Sequence, residues 1–248
     1  MNIDAYLKRI AYSGTRTPNE GTLRKLHRAH MLTVPFENLD IHLRVPIVLD
    51  EDRFFDKIVN RCRGGFCYEL NGLFAALLRE LGFRVTLLSG RVFSGTQAGP
   101  EFDHMALLVD LDERWLADVG FGESFIEPLR LDDSEEQVQG EAAYRIRKEA
   151  DVLTVMERRP GKEWTSSYEF TLQPRSLADF SNMCRWQQTA PESHFTQKRI
   201  CSRATPEGRI TLSDAKLIVT KNGERIERML DDAEYKEALR MHFGFVTD

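Results

Sequence analysis

The stretch RGGFCYELNG, residues 63–72, leads into the most regular helical pattern of the chain. From residue 70 onward, apolar side chains recur at spacings of 3, 1, 3, 1 and 3 residues, which is the period of a helix with one buried face. This spacing predicts a helix from Cys67 to Leu81, with Gly82 placed to end it. The apolar positions are Leu70, Leu73, Phe74, Leu77, Leu78 and Leu81.

Cys67 is the candidate nucleophile, because it stands at the predicted start of this helix. A thiol there lies at the positive end of the helix dipole, which lowers the pKa of the thiol and favours the thiolate. The preceding Gly64 and Gly65 would let the backbone approach a ligand closely. A free cysteine is also commonly a small buried hydrophobe, which is our interpretation of the other three cysteines.

The segments before this helix are also helical in pattern. Asp4 and Thr22 are placed to cap the first two of them. The stretch VPFEN, residues 34–38, should interrupt the helices, because proline restricts the residue before it. The predicted helical segments are 4–10, 22–31 and 52–59.

After residue 84 the pattern changes to alternating, β-rich segments. Several antiparallel strands at close spacing predict a barrel or curled sheet. Asp112 and Glu113 form a predicted hairpin turn, and the acidic stretch 132–141 is predicted to be an exposed loop. The predicted strands are 85–92, 104–111, 114–119, 143–147, 152–158 and 167–172.

The last third of the chain mixes both patterns. A helix is predicted over 177–188 and a closing helix over 232–242. Asn222 and Gly223 signal a tight turn. Three further strands are predicted at 199–204, 209–212 and 216–220.

Composition and charge exclude some classes of protein. The 248 residues are long enough to bury a sizeable core. A net charge of −5 argues against a nucleic-acid binder, and no apolar run approaches the ~18 residues of a membrane span. The first residues lack the basic and apolar regions of a secretory signal, so we expect a cytoplasmic protein.

The four cysteines do not predict a disulfide framework or a metal site. They are few for the length of the chain, and no C-x-x-C pair occurs. We therefore expect reduced cysteines and no bound metal. The cysteines are Cys62, Cys67, Cys184 and Cys201.

His104 and Asp118 are the candidate partners of Cys67. His104 opens an apolar strand, and in isolation it would be read as a strand-end histidine without a chemical role. Asp118 lies among apolar residues, where a carboxylate is costly unless it is paired. A histidine that takes the thiol proton and an acid that orients this histidine would complete a nucleophilic triad.

Several motifs, in order along the chain, resemble those of the arylamine N-acetyltransferases. The resemblance spans about residues 5–215, and its strength lies in the ordered set. The motifs are VPFENL at 34–39, RGGFCYELN at 63–71, His104-Met105, DVGFG at 118–122, LQPR at 172–175, Asp179-Phe180, QTAP at 188–191 and Phe195-Thr196.

The resemblance implies an α+β fold with a cysteine-protease or transglutaminase-like catalytic core. It implies a helical N-terminal subdomain carrying Cys67, a central antiparallel β-barrel carrying His104 and Asp118, and an interdomain helix with a C-terminal α/β lid. We place these three parts at residues 1–84, 85–174 and 175–248.

The resemblance also implies an arylamine N-acetyltransferase that uses acetyl-CoA as co-substrate. Cys67, His104 and Asp118 would then be the catalytic triad. The thiol would take the acetyl group and pass it to the nitrogen of an arylamine or hydrazine in a ping-pong cycle. The physiological acceptor, the acyl-chain preference and the oligomeric state are left open.

Family analogy adds candidate binding residues. Flat apolar side chains suit an aryl ring, so Phe36, Val92, Phe121 and Phe195 are the candidates for the acceptor pocket; plain core packing is the alternative for each. For CoA the candidates are Gly122, where backbone can approach the cofactor, and Trp186, which could stack on adenine. Glu37 and Arg63 are predicted to form an ion pair that holds the active-site loop.

Two departures from the family pattern concern the CoA-binding mode. Ala190 stands where many relatives carry serine, and Glu192 would weaken a contact with a CoA phosphate or point to solvent. The C-terminal region is short and ends at Asp248, which predicts a more open cleft.

Three other functions compete with this prediction. The same triad could serve a thiol hydrolase or an amide synthase acting on another acyl donor. The chain could also be a non-catalytic binder of acyl-CoA or aromatic ligands. Metal binding by Cys62, Cys67 and His104 is the third, and the ligand spacing disfavours it.

Overall fold

The elements follow the change of hydrophobic period along the chain, with helices first, antiparallel strands next and a mixed segment last. The computed structural model of the protein describes residues 1–245. The helices are α1 Ile3–Arg9, α2 Glu20–Thr33, α3 Leu39–His42, α4 Glu51–Phe55, a π-helical turn Asp56–Asn60, α5 Cys67–Glu80, a 3-10 turn Leu177–Phe180, α6 Ser181–Thr189, α7 His194–Gln197 and α8 Asp232–Phe243.

The strands form two sheets. They are β1 Phe36–Glu37, β2 Arg84–Ser94, β3 Gln97–Ala98, β4 His104–Asp110, β5 Arg114–Ala117, β6 Leu129–Arg130, β7 Gln137–Gln139, β8 Ala142–Glu149, β9 Val152–Arg158, β10 Thr165–Phe170, β11 Ile200–Thr205, β12 Gly208–Ser213, β13 Lys216–Lys221 and β14 Glu224–Met229.

Helix α5 is the predicted helix, and its bounds differ from the prediction by one residue. Leu81 caps its C-terminus, and Gly82 follows with a φ of +88°. The helix packs against α4 and against strands β2 and β4. Every residue from Cys67 to Leu78 is buried, so the polar side chains of this helix must find partners inside the protein.

The predicted caps of the first two helices are wrong. Helix α1 is capped by Asn2 rather than Asp4, and α2 by Asn19 rather than Thr22. In both cases the asparagine side chain accepts a hydrogen bond from the backbone N–H of the residue three positions later, in the first turn of the helix. Each helix therefore begins earlier than predicted. The third predicted segment is a short helix, α4, followed by a π-helical turn.

The larger sheet is a nearly closed antiparallel barrel. Its strands follow the order β6-β5-β4-β2-β10-β9-β8-β7. Between the end strands β6 and β7, the side-chain amide of Gln137 forms hydrogen bonds with both the N–H and the carbonyl of Arg130. The side-chain amide of Gln139 forms the same pair of hydrogen bonds with the backbone of Glu127. Side-chain amides therefore complete the closure that backbone pairing leaves open.

The predicted barrel strands are all present, and the turn at Asp112-Glu113 joins β4 to β5. The stretch 132–141 is only partly loop, because it contains the short strand β7. The predicted α+β fold with a central antiparallel barrel is confirmed.

The second sheet has the order β1-β11-β12-β13-β14. Its first strand comes from the N-terminal region, so the segment predicted only as an interruption also anchors the C-terminal sheet. Asn222 and Gly223 form the predicted tight turn, with φ values of +50° and +80° that fit a type I′ hairpin. The strand after this turn, β14, was not predicted.

Three apolar cores support these layers. The first surrounds α5, the second fills the barrel, and the third lies between the C-terminal sheet and α8. The first core includes Leu87, Met105 and Leu107 of the barrel strands, so it crosses the predicted boundary at residue 84. The three-part division stays a prediction. Within residues 1–245, no helix is both long and apolar enough to cross a bilayer.

Candidate active site

Cys67 is the first residue of α5, and only 3% of it is exposed. The turn that leads into it is held closely against residues 35–37. A Cβ on Gly64 would lie 2.0 Å from the carbonyl oxygen of Pro35, so this position accepts only glycine. Glu69 stabilises the start of the helix, because its Oε2 accepts the Phe66 N–H at 3.1 Å.

A buried ion cluster fixes the same turn. Lys57 Nζ lies 2.9 Å from Glu69 Oε1 and 2.8 Å from Asp40 Oδ2. Arg63 donates to Glu37 Oε1 at 2.8 Å and to Asp40 Oδ1 at 3.0 Å. The predicted Glu37–Arg63 ion pair is therefore confirmed as part of a larger cluster. Burial raises the pKa of Glu69 to about 7, although Lys57 lowers it.

His104 and Asp118 lie together beneath the cavity surface. His104 Nε2 is 2.7 Å from Asp118 Oδ2, and both side chains are buried. Asp118 Oδ1 accepts from Asn71 Nδ2 at 2.8 Å and from the Gly120 N–H at 2.9 Å. Burial opposes ionisation, but His104 and these donors hold the pKa of Asp118 below its ordinary value. Asp118 is thus an ionised carboxylate with every contact in place to orient His104.

Two buried residues that the sequence pattern did not mark as functional, Asn71 and His27, position the Asp118 carboxylate. Asn71 also accepts a hydrogen bond from the Val119 N–H at 2.9 Å, so this one side chain joins helix α5 to the Asp118 segment. His27 Nε2 accepts the Asp118 N–H at 3.1 Å. Burial lowers the pKa of His27 to about 4, so its imidazole is neutral. Asn71 could have been found, because it lies one helical turn after Cys67; nothing in the helical pattern around His27 distinguishes it.

A cavity of about 300 Å³ opens onto Cys67 and His104. All four predicted acceptor-pocket residues line it: Phe36, Val92, Phe121 and Phe195. Gly120 forms part of the wall, and a Cβ there would lie 2.8 Å from Cys67 Cα. The structure thus brings the nucleophile candidate and an apolar surface that includes three phenylalanines to one site.

The predicted CoA contacts lie elsewhere. Gly122 and Trp186 are not among the residues that line the cavity. Gly122 has a φ of +87° and lies next to Phe36, and Trp186 is 41% exposed on α6. Four polar lining residues were not predicted, namely Asp103, Gln187, His194 and Lys198.

The residues that depart from the family pattern are near the end of α6. Ala190 caps this helix, and Glu192 is exposed. Residues 246–248, at the end of the short C-terminal region, lie outside the described residues.

The environment of Cys67 does not favour a thiolate by itself. Burial raises the pKa of the Cys67 thiol well above its ordinary value, the Met105 N–H lowers it, and Asp103 raises it further. Burial is the largest of these influences, and it opposes the lowering expected from the helix N-terminus. A base close to the thiol is needed to make it nucleophilic, and His104 lines the same cavity.

Within residues 1–245, no group of three or more histidine, cysteine or acidic side chains is arranged to hold a metal ion. Cys62, which the metal alternative requires, is exposed, whereas Cys67 and His104 are buried. The interpretation of Cys62 as a buried residue is therefore wrong, while Cys184 and Cys201 are buried as expected.

The barrel, the aromatic cavity and the buried cysteine and histidine define an acyl-transfer class of enzyme, and comparison with known proteins agrees. A family model described as N-acetyltransferase matches residues 21–248. The arylamine N-acetyltransferase of Escherichia coli (strain K12) is 37% identical over 252 residues, which cover 99% of this chain and 89% of that protein.

Solved structures give the same result. The arylamine N-acetyltransferase from Salmonella typhimurium superimposes with a TM-score of 0.92 and 34% identity, covering 99% of this chain and 92% of that one. The Mycobacterium marinum arylamine N-acetyltransferase in complex with CoA has a TM-score of 0.90 and 32% identity, covering 98% and 93%. The chain belongs to the arylamine N-acetyltransferase family and is an acyltransferase.

Proposed function

We propose that the protein transfers an acetyl group from acetyl-CoA to the nitrogen of an arylamine or arylhydrazine, through an acetyl-Cys67 intermediate. The observation that carries this proposal is the cavity itself. Cys67 and His104 share it, and Asp118 holds His104 from behind at 2.7 Å. This arrangement supports catalytic roles for Cys67, His104 and Asp118.

In the first half-reaction, the Cys67 thiol gives its proton to His104, and the sulfur attacks the thioester carbonyl of acetyl-CoA. The C–S bond to CoA then breaks. The CoA sulfur takes the proton from His104 and leaves as the thiol, while the acetyl group stays on Cys67. Asp118 stabilises the imidazolium that exists between these two proton transfers. Because burial disfavours an isolated thiolate, proton transfer to His104 and nucleophilic attack are closely coupled.

In the second half-reaction, the acceptor nitrogen attacks the acetyl carbon of acetyl-Cys67. His104 takes a proton from this nitrogen and returns it to the departing Cys67 sulfur. The products are the N-acetyl acceptor and the free thiol, so the protein is ready for another cycle. A thioester intermediate suits this step, since amide formation from a thioester is favourable.

The aromatic walls of the cavity support an aryl acceptor. Phe36, Val92, Phe121 and Phe195 offer apolar contact to a flat ring next to the reacting sulfur. A volume of about 300 Å³ suits a small molecule of this kind.

Acetyl-CoA is the proposed donor, which the CoA complex of the Mycobacterium marinum relative supports. We retain Gly122 and Trp186 as proposed CoA contacts. Neither residue lines the cavity, and a bound CoA must extend beyond the cavity. We place the reaction in the cytoplasm, since a free cysteine nucleophile fits a reducing compartment.

Steady-state kinetics test the proposal. With acetyl-CoA and an arylamine both varied, a ping-pong cycle predicts parallel double-reciprocal lines. Cys67→Ala should abolish acetyl transfer, whereas the matched variant Cys62→Ala, which changes an exposed cysteine five residues away, should retain it. Intersecting lines, or turnover by Cys67→Ala at the wild-type rate, would overturn the proposed mechanism.

A further inference from the structure

One carboxylate faces the cavity and has no part in the proposed triad. Asp103 directly precedes His104 and is half-buried among the lining residues. Its Oδ1 accepts a hydrogen bond from Gln187 Nε2 at 2.6 Å. The Gln187 Oε1 in turn accepts from Ser193 Oγ at 2.6 Å. Asp103 is therefore held in place by α6 and by the loop that follows this helix.

The charge of Asp103 is only partly compensated. Burial raises the pKa of its carboxyl, and His104, the Val92 N–H, Gln187 and His194 offset this only in part. Among the described residues, no ion pair includes Asp103. Lys198 and His194 also line the cavity, but both are exposed, and water screens exposed charges more strongly than buried ones.

The charge of Asp103 also acts on the Cys67 sulfur. It raises the pKa of the Cys67 thiol more than Asp118 does. The lining also includes the apolar side chains Phe36, Val92, Phe121, Phe195 and Ile200. Part of the field of Asp103 therefore acts along apolar walls, where charges interact more strongly than in water.

We propose that Asp103 sets the charge preference for the acceptor. The carboxylate favours an aromatic amine that carries a cationic or strongly hydrogen-bond-donating group on its ring, and it disfavours one that carries a carboxylate. This inference rests on the proposed function and names the class of acceptor for the same site.

The test uses three acceptors of similar shape that differ in charge: 4-aminobenzoate, 4-aminobenzamide and 4-aminobenzamidine. For each, kcat/KM is measured at saturating acetyl-CoA in the wild type and in Asp103→Asn, which keeps an acceptor oxygen for Gln187. The variant should gain about tenfold on 4-aminobenzoate and lose about tenfold on 4-aminobenzamidine. The neutral amide should change by less than about threefold.

Glu101→Gln is the matched control. It removes the same charge two residues earlier, from an exposed carboxylate that does not line the cavity. This variant should leave the ratio of 4-aminobenzamidine to 4-aminobenzoate activity unchanged. An equal shift of all three acceptors in Asp103→Asn, or the same change of ratio in Glu101→Gln, would overturn the inference.

A second measurement needs no variant. Neither benzamidine nor benzoate can accept an acetyl group at a ring amine. Benzamidine should inhibit the wild-type protein more strongly than benzoate does, and the reverse order would contradict a selective Asp103. The proposed function fails separately, if the wild type transfers acetyl to none of the three amines.

Discussion

Asp118→Asn should inactivate the protein by forcing His104 into the wrong tautomer. Asp118 Oδ1 accepts from two donors, Asn71 Nδ2 and the Gly120 N–H. In the variant, the amide oxygen must take this place, so the amide NH₂ points at His104 Nε2. His104 Nε2 then has to accept a hydrogen bond from this NH₂ group, so the ring proton lies on Nδ1. His104 can no longer take the proton of Cys67.

The size of the effect follows from the lost contacts. The 2.7 Å hydrogen bond between His104 and Asp118 is charge-assisted when the imidazole is protonated, and such a bond contributes about 1.5–3 kcal/mol. Inverting the tautomer costs a further hydrogen bond, about 1 kcal/mol, in the reactive state. A total of about 2.5–4 kcal/mol lowers the acetylation rate about 10²- to 10³-fold.

Single-turnover acetylation by acetyl-CoA measures this rate directly. Alkylation of Cys67 by iodoacetamide over a range of pH gives an independent measure of the thiolate, and in Asp118→Asn its rate should rise only at higher pH. Asp110→Asn, which removes a carboxylate from the far end of β4, should behave as the wild type. An Asp118→Asn variant that remains folded and acetylates within about tenfold of the wild type would refute the tautomer argument.

Three further predictions concern the residues that hold the site. Asn71→Leu should lose about 2–4 kcal/mol of unfolding free energy in urea titration, because buried partners are left unpaired, and it should slow acetylation; unchanged stability would contradict this. Gly120→Ala should reduce acetylation by more than about tenfold, since the added Cβ would lie 2.8 Å from Cys67 Cα; a wild-type rate would contradict the close approach. Burial raises the pKa of Glu69 to about 7, above its ordinary value, so the folded state binds more protons than the unfolded state between these values. The unfolding free energy should therefore fall as pH rises from about 4.5 to 7, on the order of 2 kcal/mol, and Glu69→Gln should not show this fall.

Local patterns were enough to predict the central elements. The spacing of leucines after Cys67 predicted α5 to within one residue, because an apolar period extends over four turns. The cost of a carboxylate among apolar residues predicted that Asp118 has a partner, and His104 is that partner. Helix starts were less predictable, because the apolar period does not show which of several nearby polar residues takes the capping geometry, as Asn2 and Asn19 do.

The polar wall of the cavity could not be predicted from local patterns. Asp103 and Gln187 are 84 residues apart and meet only because α6 packs beside the start of β4. The buried state of Cys67 was also beyond the sequence pattern. A helix N-terminus predicts a lowered thiol pKa, but burial of Cys67 raises the pKa of this thiol. Both features depend on tertiary packing, which periodicity within one segment does not encode.

The most direct test of the account is the mass of the protein after incubation with acetyl-CoA alone. The account predicts one added acetyl group, mapped by peptide analysis to Cys67 and removed when an arylamine or hydrazine is added. An acetyl group on another residue, or a Cys67 adduct that no acceptor discharges, would contradict it.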